Sequence, residues 1–117
     1  MTPADRMLLA QTLALVEEID PSAHGAENHP DAPDRYAHRN ALIWQALAIA
    51  ARGGYDAGVA IDPSEPAWPV VYIVLPRVGQ VSWHLPAWRG EWDGHNGSTK
   101  SARIRDFIAA GPEVDRG

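Results

Sequence analysis

The sequence predicts an α+β domain: two N-terminal helices, a small antiparallel sheet with a central hairpin, and a C-terminal helix. Three observations carry this reading. Apolar residues recur with helical spacing in two long segments of the first half, two equal six-residue strand-like runs, Val70 to Leu75 and Gln80 to Leu85, flank the turn Pro76-Arg77-Val78-Gly79, and helical spacing returns from Ser98 to Ala110.

The first helix has a start signal in Thr2, Pro3 and Asp5: a capping oxygen, a proline in the first turn and an acid at the positive dipole end. Met7, Leu8, Leu13, Leu15, Val16 and Ile19 supply its apolar set, and Asp20-Pro21 is expected to stop it near Ile19. Gly25, Asn28, His29, Pro30 and Pro33 mark Ser22 to Pro33 as a loop.

The second helix is expected to begin between Asp31 and Asp34 and to end before Gly53-Gly54, with Gly54 suited to a left-handed cap. From Ala41 to Ala51 it is apolar nearly all round, which predicts a helix central to the fold. Its first turns carry Arg35, His38, Arg39 and Asn40, which read as a solvated start, with contribution of His38 or Arg39 to a site as the sharper alternative.

Val59 to Ile61 reads as a short strand. Val70 to Leu75 and Gln80 to Leu85 read as an antiparallel hairpin with a four-residue loop, which would set Leu75 opposite Gln80 and Val71 opposite His84. In the last helix Ile104, Phe107 and Ile108 share a face, and Gly111-Pro112 ends it. The whole chain, 1–117, reads as one domain with a core from about residue 3 to 110 and a short tail beyond it.

Composition narrows the function classes. Of 117 residues, 45% are hydrophobic and 21% charged, an ordinary globular balance. The lack of cysteine closes thiolate metal sites and disulfides and fits a reducing, cytoplasmic compartment. The longest apolar run, Val70 to Leu75, is too short for a bilayer, so no membrane association is expected. A net charge of -5 argues against general nucleic-acid binding.

Strand alternation places Val81, Trp83 and Leu85 on one face, which reads as core, and Gln80, Ser82 and His84 on the other. In the expected register this polar trio shares its face with aliphatic residues, Leu75 and Val71 among them, and one polar beside one apolar wall is the lining of many binding sites, and also that of a half-exposed sheet. Downstream, Trp92-Asp93-Gly94-His95-Asn96-Gly97 packs two turn dipeptides around a histidine, enough by itself to explain a tight corner. Four of the five tryptophans, Trp68, Trp83, Trp88 and Trp92, fall in this region, and a patch formed by Trp68 and Trp88 would mark a protein interface.

The blocks GQVSWH at Gly79 to His84 and WDGH at Trp92 to His95 resemble a family of small phage and bacterial proteins of no settled activity. Its pattern continues through Lys100, Arg103 and Ile104, so the resemblance spans about Val70 to Phe107. Asn96, Gly97, Ser98 and Thr99 stand where the family tends to carry hydroxyls and an acidic pair, and Ser101 replaces a tyrosine. A reaction dependent on those acids would be lost here.

Three functional readings follow. The first is an accessory binding module that holds a small anionic or nucleotide-like ligand, or a protein partner, through Gln80, Ser82, Trp83, His84, Trp92, Asp93, His95, Lys100 and Arg103. In it the start of the last helix, with Ser98, Thr99, Lys100 and Arg103, offers amides and cations to an anion. The second is a metal-assisted hydrolase in which His84, Asp93 and His95 hold a divalent ion, for which the His84 and His95 rings would lie within about 8 Å of each other. In the third the two blocks form a structural corner. Nucleophilic catalysis by Ser82 with His84 is disfavoured, because side chains two apart on a strand usually lie beyond hydrogen-bond reach. Oligomeric state is not legible in the sequence.

Overall fold

The computed structural model describes residues 1–24, 32–64, 66–85 and 98–111. Elements follow in the expected order: α1 (Pro3–His24), α2 (Ala32–Arg52), β1 (Ala57–Ile61), β2 (Pro69–Leu75), β3 (Gly79–His84) and α3 (Ser98–Ala110). Among the described residues, no helix is long and apolar enough to cross a membrane.

Thr2 caps α1 as its sequence implies. Its hydroxyl accepts the Asp5 amide at 3.1 Å, and its carbonyl accepts the Arg6 amide at 2.9 Å. The helix does not stop at Ile19 but runs through Pro21 to His24. Proline has a helical φ. What it forfeits is the donor to the fourth carbonyl back, together with steric room there, a penalty that a continuing helix can absorb. The buried face also differs from the expected set: Leu9, Leu13 and Val16 enter the core while Met7, Leu8 and Leu15 are exposed. A helix with apolar residues on several sides does not reveal which stripe its neighbours will cover.

The second helix ends as expected. Gly54 has φ 93°, its amide reaches the Ala51 carbonyl at 3.1 Å, and the Tyr55 amide reaches the Ala50 carbonyl at 2.9 Å, the paired bonds of a Schellman cap. It is not enclosed all round, however. Leu42, Ile43, Ala46, Ile49 and Ala50 are buried, but Trp44 on the opposite side is 42% exposed. Alanine fits an exposed helix face as well as a core, so the run of alanines overstated its burial.

The three strands form an antiparallel sheet in the order β1-β2-β3. Pairing of β2 with β3 sets Leu75 opposite Gly79, Tyr72 opposite Ser82 and Val70 opposite His84. The register is thus one residue away from that expected of a four-residue loop. Two left-handed residues account for it. The Val78 amide bonds the Leu75 carbonyl at 3.1 Å across a turn with Pro76 at its second position and Arg77 at its third with φ 66°, the geometry of a type II turn, and Gly79 follows with φ 125°. The shift brings Val71, Ile73 and Leu75 to the same face as Val81 and Trp83, and all five are buried in the core with residues of α1, α2 and α3. The three helices therefore pack on one face of the sheet.

Arg77 occupies a conformation that favours glycine. Arg77→Gly is expected to raise stability by about 0.5 kcal/mol and Arg77→Val to lower it by about 1 kcal/mol. Urea unfolding with the two changes in the same direction would contradict this account of the register.

Candidate functional site

The strand register lays out the sheet face turned away from the helices. Gln80, Ser82 and His84 stand there, opposite Val74, Tyr72 and Val70, and Gly58 and Ala60 of β1 complete the rows. One step beyond the Ile61–Pro69 pair, the same alternation carries Asp62 and Trp68 onto this face.

His84 is the centre of this surface. Its Nε2 lies 2.9 Å from Asp62 Oδ2, with both side chains partly exposed, and Trp68 meets its ring in a T-shaped arrangement at 6.4 Å between centroids. Asp62 is itself held in an Asx-type turn: its Oδ1 accepts the Ser64 amide at 2.9 Å and the Ser64 hydroxyl at 2.7 Å. The Ser64 hydroxyl, then His84, then the Ser64 amide favour its ionised form and bring its pKa from 3.8 down to about 2. An imidazole oriented by a carboxylate beside an indole can donate or accept a hydrogen bond against an aromatic wall.

A folded-state pKa below the unfolded value contributes stability above the unfolded pKa, and that contribution disappears as pH falls through the folded one. The stability advantage of the wild type over Asp62→Asn is therefore expected to be full above about pH 4 and to vanish towards about pH 2. Paired denaturation curves that differ by a constant amount across that range would show that this carboxylate is not the titrating group.

The outer edge of β3 is closed by cations from two helices. The Leu85 amide bonds the Pro69 carbonyl at 2.9 Å, so the odd residues of β3 pair with β2 and the carbonyls of Gln80, Ser82 and His84 point outward. Arg103 Nη1 donates to the Gln80 carbonyl at 2.5 Å, Lys100 Nζ to that of Ser82 at 2.8 Å, and Arg39 Nη1 to that of His84 at 3.0 Å. Gly79 permits this approach, since a Cβ there would stand 3.0 Å from Arg103 Nε. Lys100 also sits 5.4 Å from the centre of the Trp83 ring.

The proposed site residues thus separate by position. Gln80, Ser82 and His84 share the open face. Trp83 lies in the core at 1% exposure, while Lys100 and Arg103 clamp α3 to β3. Trp92, Asp93 and His95 lie outside the described residues, as do Trp88 and the expected approach of the His84 and His95 rings. Among the described residues no three His, Asp or Glu side chains gather as a metal site. Arg39 is not solvated: it is 2% exposed, and its Nη1 also reaches Asn40 Oδ1 at 2.8 Å and the Tyr36 hydroxyl at 3.3 Å. His38 belongs elsewhere, in a cleft of about 260 Å³ between α1 and α2 with Leu15, Glu18, Ile19 and Leu42.

Sequence reasoning missed Asp62 and Ser64. The Asp62-Pro63-Ser64 turn signature was available, but nothing local connects it to a histidine 22 residues away. In comparisons with known proteins, the chain matches no family model, no curated protein and no solved structure.

Proposed function

We propose that the chain is a small accessory binding module, of the phage and bacterial kind its two sequence blocks resemble, which holds a hydrogen-bonding ligand on the open sheet face. The observation that supports this is the His84–Asp62 pair beside Trp68, with Ser82 and Gln80 in line along the same strand. A polar strip with an aromatic wall is the usual composition of a small-ligand surface. Lys100 and Arg103 are engaged by strand carbonyls, so among the described residues recognition rests on hydrogen bonding and ring contact.

Nuclear magnetic resonance titration with a panel of mononucleotides and small carboxylates tests the reading. Amide shifts are expected at Gln80, Ser82 and His84, reduced at least about tenfold in apparent affinity by His84→Gln, the loss of roughly 1.4 kcal/mol or more. Shifts confined to other surfaces, or unchanged in His84→Gln, would refute it.

A further inference from the structure

We infer that the free edge of β1 is a docking site for an extended segment of a protein partner, recognised by three alternating apolar residues between two basic ones. This edge shares Asp62 with the open sheet face, but its outward backbone groups and the side chains of Val59 and Ile61 lie apart from that face, and the inference does not depend on the ligand proposed there.

The two edges of the sheet are built differently. On β3 the three outward carbonyls each accept a hydrogen bond from a cation. On β1 the Asp56 carbonyl accepts the Val74 amide at 2.8 Å, so the even residues pair with β2 and the amides and carbonyls of Ala57, Val59 and Ile61 point away from the sheet. Among the described residues nothing pairs with them. The strand Ala-Gly-Val-Ala-Ile has no lysine, proline or inward charge to discourage addition of another strand. Its register partners put Val59 and Ile61 on the helix side of the sheet, yet they are 53% and 73% exposed. An added strand would pair the backbone groups and cover these two side chains in one step.

Charge selects the occupant. Asp56 and Asp62 bracket β1, three residues either side of Val59. If a second copy paired antiparallel about Val59, Asp56 of each chain would stand opposite Asp62 of the other, and like charges directly opposite destabilise a sheet pair. The chain's net charge of -5 adds to that repulsion. A different partner meets the same geometry favourably when its central residue lies opposite Val59, apolar residues occupy the centre and the positions two away on either side, and Lys or Arg occupies the positions three away. The alternating residues of that seven-residue pattern then fall on the helix side with Val59 and Ile61, while the basic ends face Asp56 and Asp62.

Selection from a random twelve-residue peptide display library on the immobilised full chain tests this. Enriched peptides are expected to carry the alternating apolar pattern with flanking Lys or Arg. They should bind at least about tenfold more weakly to Val59→Pro, which removes an outward amide without breaking the ladder to β2, provided its amide spectrum shows the fold intact. Asp56→Lys, which leaves the backbone edge intact, should shift selection at one flank from basic to acidic residues. The inference is overturned by no enrichment, by peptides that bind folded Val59→Pro equally well, by flanks indifferent to Asp56→Lys, or by a concentration-dependent dimer in light scattering that Val59→Pro abolishes, which would assign the edge to a second copy.

Discussion

Trp83→Ala is expected to lower the unfolding free energy by about 4 kcal/mol, within the range for deleting a large buried aromatic. The indole is 1% exposed, stands on the helix-side face of the sheet opposite Val71 of the central strand and supports the Lys100 ammonium. The lost volume lies where α3 meets β3, so the cavity cannot close without shifting the helix held by Lys100 and Arg103. Trp83→Phe should cost much less, about 1 kcal/mol, because the buried Nε1 has no hydrogen-bond partner among the described residues and its removal relieves an unsatisfied donor. Urea unfolding followed by far-ultraviolet circular dichroism measures both. Equal losses for the two variants would show that Nε1 makes a valuable bond and would overturn this ordering.

Arg39→Ala should cost about 3 kcal/mol, since it removes the charge-assisted hydrogen bonds of a side chain that is almost wholly buried. The His84 carbonyl, the Asn40 side-chain oxygen and the Tyr36 hydroxyl all lose the same guanidinium nitrogen, and the Tyr36 ring loses the cation 5.0 Å from its centre. Arg39→Lys is expected to recover part of this, leaving a loss of about 1–2 kcal/mol, because the shorter side chain and compact ammonium do not place a planar cation between these acceptors and the Tyr36 ring. A local effect should accompany the global one: hydrogen exchange at the Leu85 amide, which closes the end of the β2–β3 ladder, should accelerate beyond the change in global stability. A loss below about 1 kcal/mol for Arg39→Ala would return Arg39 to the class of surface charges.

These two residues mark the division between local and long-range information in this chain. Trp83 was legible as core because strand alternation is a short-period signal, and the same signal placed Gln80, Ser82 and His84 together on the other face. The span of α3, the capping role of Gly54 and the antiparallel hairpin were equally local, since each depends on a few adjacent residues and the backbone conformations they permit. Arg39 was not legible. A basic residue in a polar first turn looks solvated until the chain brings the end of β3 to it, and that contact spans 45 positions.

The same limit explains the other differences. Which side of α1 is buried depends on where α2 and α3 settle, so Met7, Leu8 and Leu15 remained outside despite their apolar character. The one-residue change in hairpin register required Arg77 to accept a left-handed φ, which its own propensity disfavours and which the burial of Val71, Ile73 and Leu75 supports. Asp62 meets His84 because β1 and β3 flank the same central strand, a relation of topology rather than spacing. Propensity and alternation act over a few residues and so determine the elements and their faces. Partners for buried cations, and for a half-exposed histidine, are chosen when the layers close, because an unpaired polar group in a closed interior costs more than the local preference it overrides.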